Sequence, residues 1–345
     1  MRVGDTGARS STLVQTRKRQ LFENDGDGGD TGKGRSGAGW PPRGEGAYRE
    51  MNATRLDEDF TSSVHVYEPH RNGLPRLRAY FKALWQRRPF AVEMSRASIR
   101  ADNVNTFFGQ IWLVLNPLLL ACVYFLLVMI IRGAGDPFEE NVERFVYLCS
   151  ALFAYYFHAG CVRQGASSVV GGGKLLLNMS FPRLLLPLAE VRTAFFKFLP
   201  TLVIFFVLML SFGRPLHWQA VFAPVFFLML ILFASGTAMI FAAMQVYFRD
   251  IGNFLQYMMR AWLYLSPILW YPDMPLAHLD NLGIPHWIMH LNPLYSMLGG
   301  WSSLLVHGEI PPLAWWIAGG IWSIVILILG TLFFMSRERE FAVRL

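Results

Sequence analysis

Charge is scarce in this chain: of 345 residues only 16% are Asp, Glu, Lys or Arg against 53% hydrophobic, and the mean hydropathy is +0.33. Soluble domains carry about 25% charged residues, so this composition excludes a chain that is wetted all round. Cysteine is scarcer still. Cys122, Cys149 and Cys161 all fall in or beside apolar stretches, with no CxxC pair and no histidine at ligand spacing. That excludes a zinc ribbon or a thiol redox centre and leaves small core hydrophobes. A nucleotide-binding loop is also missing. The fragment Gly28-Gly29-Asp30-Thr31-Gly32-Lys33-Gly34 has Gly where Ser or Thr should follow Lys33, has the wrong spacing, and follows no strand. Acidic residues are missing from the apolar stretches, which excludes a carboxylate relay for ion-driven transport. From Ala261 to Ser336 there is neither Lys nor Arg. An apolar h-region near the start is lacking too, so no signal peptide is expected there.

What is abundant is apolar length. Six stretches approach the roughly 20 residues that a helix needs to cross the hydrocarbon core: Phe107 to Ile131, Phe145 to Cys161, Ala194 to Phe212, Trp218 to Met244, Phe254 to Tyr271 and Leu313 to Met335. The second is short unless it runs on through Val162 to Val170. The fifth contains Arg260. The fold class expected is therefore all-α, a polytopic membrane protein with six transmembrane helices. Lys and Arg concentrate before the first stretch (Arg76, Arg78, Lys82, Arg87, Arg88, Arg96, Arg100), between the second and third, and in the tail (Arg337, Arg339, Arg344), whereas the first outer loop is acidic. By the positive-inside rule both termini are cytoplasmic. The net charge of +7 then points to anionic headgroups and not to nucleic acid.

Three segments outside the spans have their own character. Residues 1–70 include Asp25 to Gly46, dominated by Gly, Asp, Arg and Pro, and are expected to form a disordered cytoplasmic extension; Met51 is a possible alternative start. Residues 75–100 read as an interfacial amphipathic region, with Leu77, Tyr80, Phe81, Leu84 and Trp85 at helical spacing among basic residues. Residues 101–345 form the six-span domain. Within it, Gly171-Gly172-Gly173-Lys174 reads as a hinge. Between Pro272 and Pro312 the chain is too apolar for a solvated loop and too short for two spans, which fits short re-entrant helices packed on protein.

The order of local motifs resembles the membrane permease subunit, Wzm type, of bacterial polysaccharide ABC exporters. The residues that carry the resemblance are Gly109-Gln110-Ile111-Trp112 with Asn116-Pro117-Leu118, Phe181-Pro182-Arg183 with Leu186-Pro187-Leu188, Phe248-Arg249-Asp250-Ile251-Gly252, Leu265-Ser266-Pro267-Ile268 and Asn292-Pro293-Leu294. The aromatic-rich spans and the Gly- and Arg-rich extension are most similar to the mycobacterial or actinobacterial lipid-linked galactan exporter. The resemblance implies a homodimer working with two copies of a separate nucleotide-binding subunit, Wzt type, which would bind ATP and Mg, so that this chain carries no cofactor, no metal and no catalytic residue. It implies a plasma-membrane location and a lipid-linked polysaccharide cargo, galactan or an O-antigen-like glycan. It further places ATPase coupling in the segment containing Lys174, Leu175, Asn178, Phe181, Pro182 and Arg183, and an extracytoplasmic gate in the outer short helices.

A lipid-linked glycan needs ring faces along which sugar can slide and cations near its diphosphate. Channel candidates are Trp112, Tyr124, Phe125, Tyr155, Tyr257, Trp262, Tyr264 and Trp270, with Tyr156, Phe157 and Tyr271 beside them; the competing role for each is ordinary packing. Arg260 stands out because a cation inside a span costs about 3 kcal/mol. It is a candidate for pyrophosphate contact together with Arg100 and Arg249, the alternative being a side chain that snorkels to the interface; Lys197 could also enter the cavity. Other readings are a type-two ABC permease for a drug or lipid, and a membrane-embedded glycosyl- or acyltransferase, for which His278, His286, His290 and His307 on the outer side are the only clustered candidates.

Overall fold

The computed structural model describes residues 77–102, 107–132, 138–173 and 181–344. Among these every regular element is helical: α1 (Leu77–Gln86), α2 (Arg88–Ala101), α3 (Trp112–Arg132), α4 (Phe138–Gly171), α5 (Leu185–Ser211), α6 (Ala223–Tyr247), α7 (Ile251–Leu265), α8 (Met274–Asn281), α9 (Pro293–Ser302), α10 (Leu313–Arg337) and a last turn, α11 (Phe341–Arg344). The extension, Pro75 and Arg76, and the coupling candidates Lys174, Leu175 and Asn178 lie outside the described residues. Five of these segments, Gly109–Leu127, Glu139–Gly171, Leu185–Ser211, Trp218–Tyr247 and Leu313–Glu340, are long and apolar enough to cross a membrane.

The fifth apolar stretch of the sequence differs from that expectation. Its helix, α7, has 15 residues, about 22 Å against a hydrocarbon core of about 30 Å. It ends because Ser266 precedes Pro267 and takes an extended backbone, φ −98° and ψ 155°, as residues before proline do. The chain then turns through Pro267 to Tyr271. The second stretch is longer than its apolar core suggested: α4 has 34 residues, about 51 Å. Glu139 and Glu140 lie in its first turn, where carboxylates favour the positive helix end, and it runs on through Val162 to Val170. Likewise α5 begins at Leu185, nine residues ahead of the apolar run, because the Pro182 carbonyl accepts the Leu185 N–H at 3.1 Å and starts the first turn.

α4 is the spine of the bundle. In its most apolar window 83% of residues are buried, compared with 6% for α3. It packs on α5 and α6, and α6 packs on α10. The last contact is close enough to require glycine on both sides. A Cβ on Gly236 would lie 2.3 Å from the Ile326 carbonyl oxygen, and one on Gly330 would lie 2.3 Å from the Gly236 oxygen, the small-residue packing that lets helix backbones approach.

The basic segment ahead of the bundle is two helices because Pro89 sits in the first turn of α2, a position where its missing N–H costs nothing. Tyr80, Leu84 and Met94 turn towards a core of Leu184, Leu186, Phe334 and Phe341, while Leu77, Phe81 and Trp85 remain exposed. On the α5 side, the Thr193 hydroxyl donates to Ser95 Oγ at 2.9 Å in a buried contact. After α8, the whole of α9 is buried, from Pro293 to Ser302.

Candidate substrate path and coupling junction

A cavity of about 300 Å³ opens between α3, α4 and α5; Trp112, Asn116, Tyr156, Arg163, Gln164 and Lys197 are among the residues that line it. Proline at position 117 and the 3₁₀ turn Gly109–Ile111 shape the α3 wall. On α4 the spacing Tyr156, Gly160, Arg163, Gln164 places all four on one helical stripe. The Lys197 ammonium pairs with Asp102 at the end of α2, whereas Gln164 Oε1 is buried without a hydrogen-bond partner among the described residues. Ring faces, an unsatisfied amide oxygen and two cations thus border one space. Of these, the sequence reading singled out Trp112, Tyr156 and Lys197 and passed over Arg163 and Gln164; their periodicity with Tyr156 was the signal that could have found them.

The remaining aromatic candidates divide by environment. Tyr257 and Tyr264 are 70% and 54% exposed on the same side of α7 as exposed Arg260. Tyr124, half-buried on α3, lies near Tyr264 and Arg260, so these four residues form one patch. Phe125 packs edge-on against Phe145 at 5.0 Å. Tyr155 is buried, and its hydroxyl donates to the Met259 carbonyl. Trp262 donates its indole N–H to Asn292 Oδ1 at 2.9 Å, and Trp270 donates to the Tyr264 carbonyl at 3.1 Å. Asn292 also donates to the Leu265 carbonyl at 2.9 Å and accepts from the Leu294 N–H at 3.2 Å. The end of α7 and the start of α9 are thereby fastened through one amide. Arg100 near the end of α2 and Arg249 between α6 and α7 are both exposed.

At the end of the bundle where α10 finishes, four separate parts of the chain converge. The Tyr80 hydroxyl donates to Glu338 Oε2 at 2.5 Å, and the Arg183 backbone N–H donates to Glu338 Oε1 at 2.6 Å. The Arg183 guanidinium in turn donates to the Glu338 carbonyl. Burial, reinforced by the adjacent Glu338 carboxylate, pushes the Tyr80 hydroxyl far above its ordinary value, so it stays a donor. Beside them Tyr247, at the end of α6, donates to Glu340 Oε2 at 2.6 Å, and the Arg344 guanidinium covers the Tyr247 ring at 4.3 Å. Phe181 packs on Phe90 at 5.0 Å, which ties the segment holding Phe181, Pro182 and Arg183 to α2 as well. Position along the sequence gave no hint of Glu338, which lies 155 residues beyond Arg183.

The opposite end holds the histidines. His286 Nε2 lies 2.7 Å from Asp280 Oδ1, His290 Nδ1 lies 2.8 Å from Ser296 Oγ, and His307 Nε2 lies 3.2 Å from Glu143 Oε1. Burial holds the His290 imidazole below its ordinary pKa, hence neutral near pH 7. Among the described residues no three metal-ligating side chains come together.

Five helices of bilayer length, three of them bordering one cavity, fit a multi-pass helical membrane protein. The chain is 26% identical over 261 residues to the O-antigen export system permease protein RfbA of Myxococcus xanthus, a match covering 76% of this chain and 97% of that protein. Two Klebsiella pneumoniae proteins of the same name match at 25% and 26% identity over 223 and 224 residues, 64% of this chain and 81% of each relative. No family model matches the chain. Over most of its length the chain is thus similar to permeases of the Wzm type, in agreement with the resemblance carried by its motifs.

Proposed function

We propose that this chain is the transmembrane subunit of an ABC exporter that carries a polyprenyl-pyrophosphate-linked polysaccharide, galactan or an O-antigen-like glycan, from the cytoplasm to the outer face of the plasma membrane. ATP hydrolysis in two copies of a separate nucleotide-binding subunit drives the movement, and two copies of this chain form the conduit. The observation that carries this reading is the match across 97% of an O-antigen export permease. Five bilayer-length helices and the lined cavity are consistent with it.

In this mechanism the chain performs no covalent chemistry. The diphosphate is attracted by cations facing the path, Arg260 on α7's exposed side beside Tyr264 and the α3 residue Tyr124, and Arg163 with Lys197 at the cavity, while Trp112, Tyr156 and Phe157 offer flat faces to sugar. Ring faces bind sugar C–H groups with little loss of rotamer freedom, so the glycan is held weakly enough to slide. The largely unpartnered face of α3 is suited to a second copy. On the ATPase side, the segment ending in Phe181, Pro182 and Arg183 receives the partner's movement. The junction at Glu338 passes it to α1, α6 and α10, and the closed and open states exchange as one coupled equilibrium.

The experiment is reconstitution. Chain and partner ATPase together are expected to hydrolyse ATP and move lipid-linked glycan into proteoliposomes, and the chain alone is expected to do neither. Steady transport by the chain alone, without nucleotide, would overturn the reading. Arg260→Gln is expected to slow export several-fold with ATPase activity retained; export at the wild-type rate removes Arg260 from the path.

A further inference from the structure

Lys197, which borders the cavity between α3, α4 and α5, does not face it unopposed. Its ammonium is paired with the carboxylate of Asp102, the C-terminal cap of α2, and the two side chains are 17% and 34% exposed. A second acidic residue, Glu190, lies near both. The pair sits on a seam that the rest of α2 fixes. Ser95, earlier on α2, accepts from the hydroxyl of Thr193, one turn before Lys197 on α5, at 2.9 Å in a buried contact. The end of the seam is held from the other side by Gln110, whose Nε2 donates to the Asp102 carbonyl at 2.9 Å and the Ile99 carbonyl at 3.2 Å. Carbonyls at a helix end lack intrahelical partners, so one amide satisfies two of them. Gln110 belongs to the Gly109-Gln110-Ile111-Trp112 motif, and Trp112 borders the same cavity as Lys197. The motif thus fixes the Asp102 backbone beside Lys197 and leaves its carboxylate part-exposed.

We propose that Asp102 is a specificity-determining residue: it holds Lys197 as an internal counterion and yields it only to a headgroup that carries more negative charge than one carboxylate. A diphosphate meets that condition, and the singly charged phosphodiester of an ordinary membrane lipid does not. The Asp102 carboxylate belongs to the same chain and is already in contact, whereas a ligand must give up translational freedom to replace it. A phosphodiester of equal charge gains nothing in return. A diphosphate brings more charge and more acceptor oxygens for charge-assisted hydrogen bonds, and Arg163, which borders the same cavity, supplies a further cation for it. Once displaced, the Asp102 side chain turns to water, as its partial exposure allows. Rejecting a near-match with an opposing charge is how specificity is built where added contacts cannot discriminate. The inference rests on the export reading for the diphosphate-bearing cargo, and on the Asp102–Lys197 pair alone for the refusal of other lipids.

The test uses the full chain in nanodiscs of zwitterionic lipid, with farnesyl diphosphate and the singly charged farnesyl methyl phosphate as probes and binding followed by calorimetry. The wild type is expected to bind the diphosphate at least about tenfold more tightly, a difference of about 1.4 kcal/mol. Asp102→Asn is isosteric and keeps the backbone bonds to Gln110, so the fold stands. It should tighten phosphodiester binding about tenfold and diphosphate binding less, so that the discrimination falls. Asp102→Glu, which keeps the carboxylate, should retain the discrimination. In a Lys197→Gln background Asp102→Asn should change neither affinity, which separates a latch on Lys197 from a general loss of negative charge. Equal binding of the two probes by the wild type, discrimination unmoved by Asp102→Asn, or a gain that persists without Lys197 would each overturn the inference. ATP-driven export by the reconstituted complex, measured in parallel, keeps the two readings apart: export with a preference independent of Asp102 sinks the latch alone, and an Asp102-dependent preference without export sinks the exporter alone.

Discussion

The two ends of the bundle handle charge in opposite ways. At the end where α10 finishes, charged and phenolic groups from four distant parts of the chain meet on Glu338 and Glu340, which makes α1, the Phe181 to Arg183 segment, α6 and the tail one mechanical unit. At the other end, the described cations Arg144 and Arg214 are answered locally. Arg144 pairs with Glu140 one turn away, and Arg214 bonds Glu143 and the Glu139 carbonyl. The rest of that end is held by indole N–H groups, an asparagine and backbone carbonyls, with no Lys or Arg from Ala261 to Ser336. A part-buried network of charged and phenolic groups ties distant elements together at the first end, while neutral hydrogen bonds hold the shape of the second. Under the proposed export function the first end receives the partner ATPase's movement and the second faces the outer side.

The largest effect expected from breaking this contrast is at Glu338. Glu338→Ala removes the acceptor of both Tyr80 and the Arg183 backbone, leaving part-buried donors that cost about 1–3 kcal/mol each. The variant is expected to lose about 3 kcal/mol in denaturation of the purified chain and to move at least tenfold less glycan per ATP with the partner ATPase still active. Glu338→Gln, which retains an acceptor, should recover much of the stability and only part of the coupling. Export by Glu338→Ala at the wild-type yield per ATP would show that this end does not transmit.

The helical class and most of the bilayer-length segments were legible because lipid imposes a composition that no local context disguises: α10 contains its expected run whole, and α3, α5 and α6 contain most of theirs. The boundaries were not, because helices continue past the apolar run wherever caps and breakers allow, as α4 does at Glu139 and α5 does at Leu185. The fifth stretch was misjudged in extent because hydropathy sees Ile268 and Leu269 as more span, while the backbone sees Ser266 before Pro267. At the candidate site, ring-bearing residues such as Trp112 and Tyr156 were findable from residue type and periodicity. Glu338 was not, since a contact across 155 residues leaves no local pattern, and Tyr155 and Trp262 gave no sign that their polar atoms are already occupied.

At the end that holds His286, His290 and His307, Asn292→Ala should have the next largest consequence. One amide there caps α9, holds the Trp262 indole and ties down Leu265, so its removal combines a lost helix cap with unpaired polar groups, about 1–2 kcal/mol in all. A shift in tryptophan emission should accompany the loss as the Trp262 N–H changes partner. An unchanged spectrum and denaturation midpoint would mean that α7 and α9 are held by apolar packing alone.

The smallest effect sharpens the comparison most. Arg214 and Glu143 are close, 2.8 Å between Nη1 and Oε2, yet their side chains remain 28% and 32% exposed. Water and salt therefore screen the pair, and exposed ion pairs contribute about 0.2–1 kcal/mol. Arg214→Met should cost less than about 1 kcal/mol, and that cost should shrink further as ionic strength rises, because the wild type is the partner that salt weakens. The cost of Glu338→Ala should instead change less with salt, since its lost bonds are part-buried. Were Arg214→Met as damaging as Glu338→Ala, with the same response to salt, the two ends would be built alike and the division of labour between them would fail.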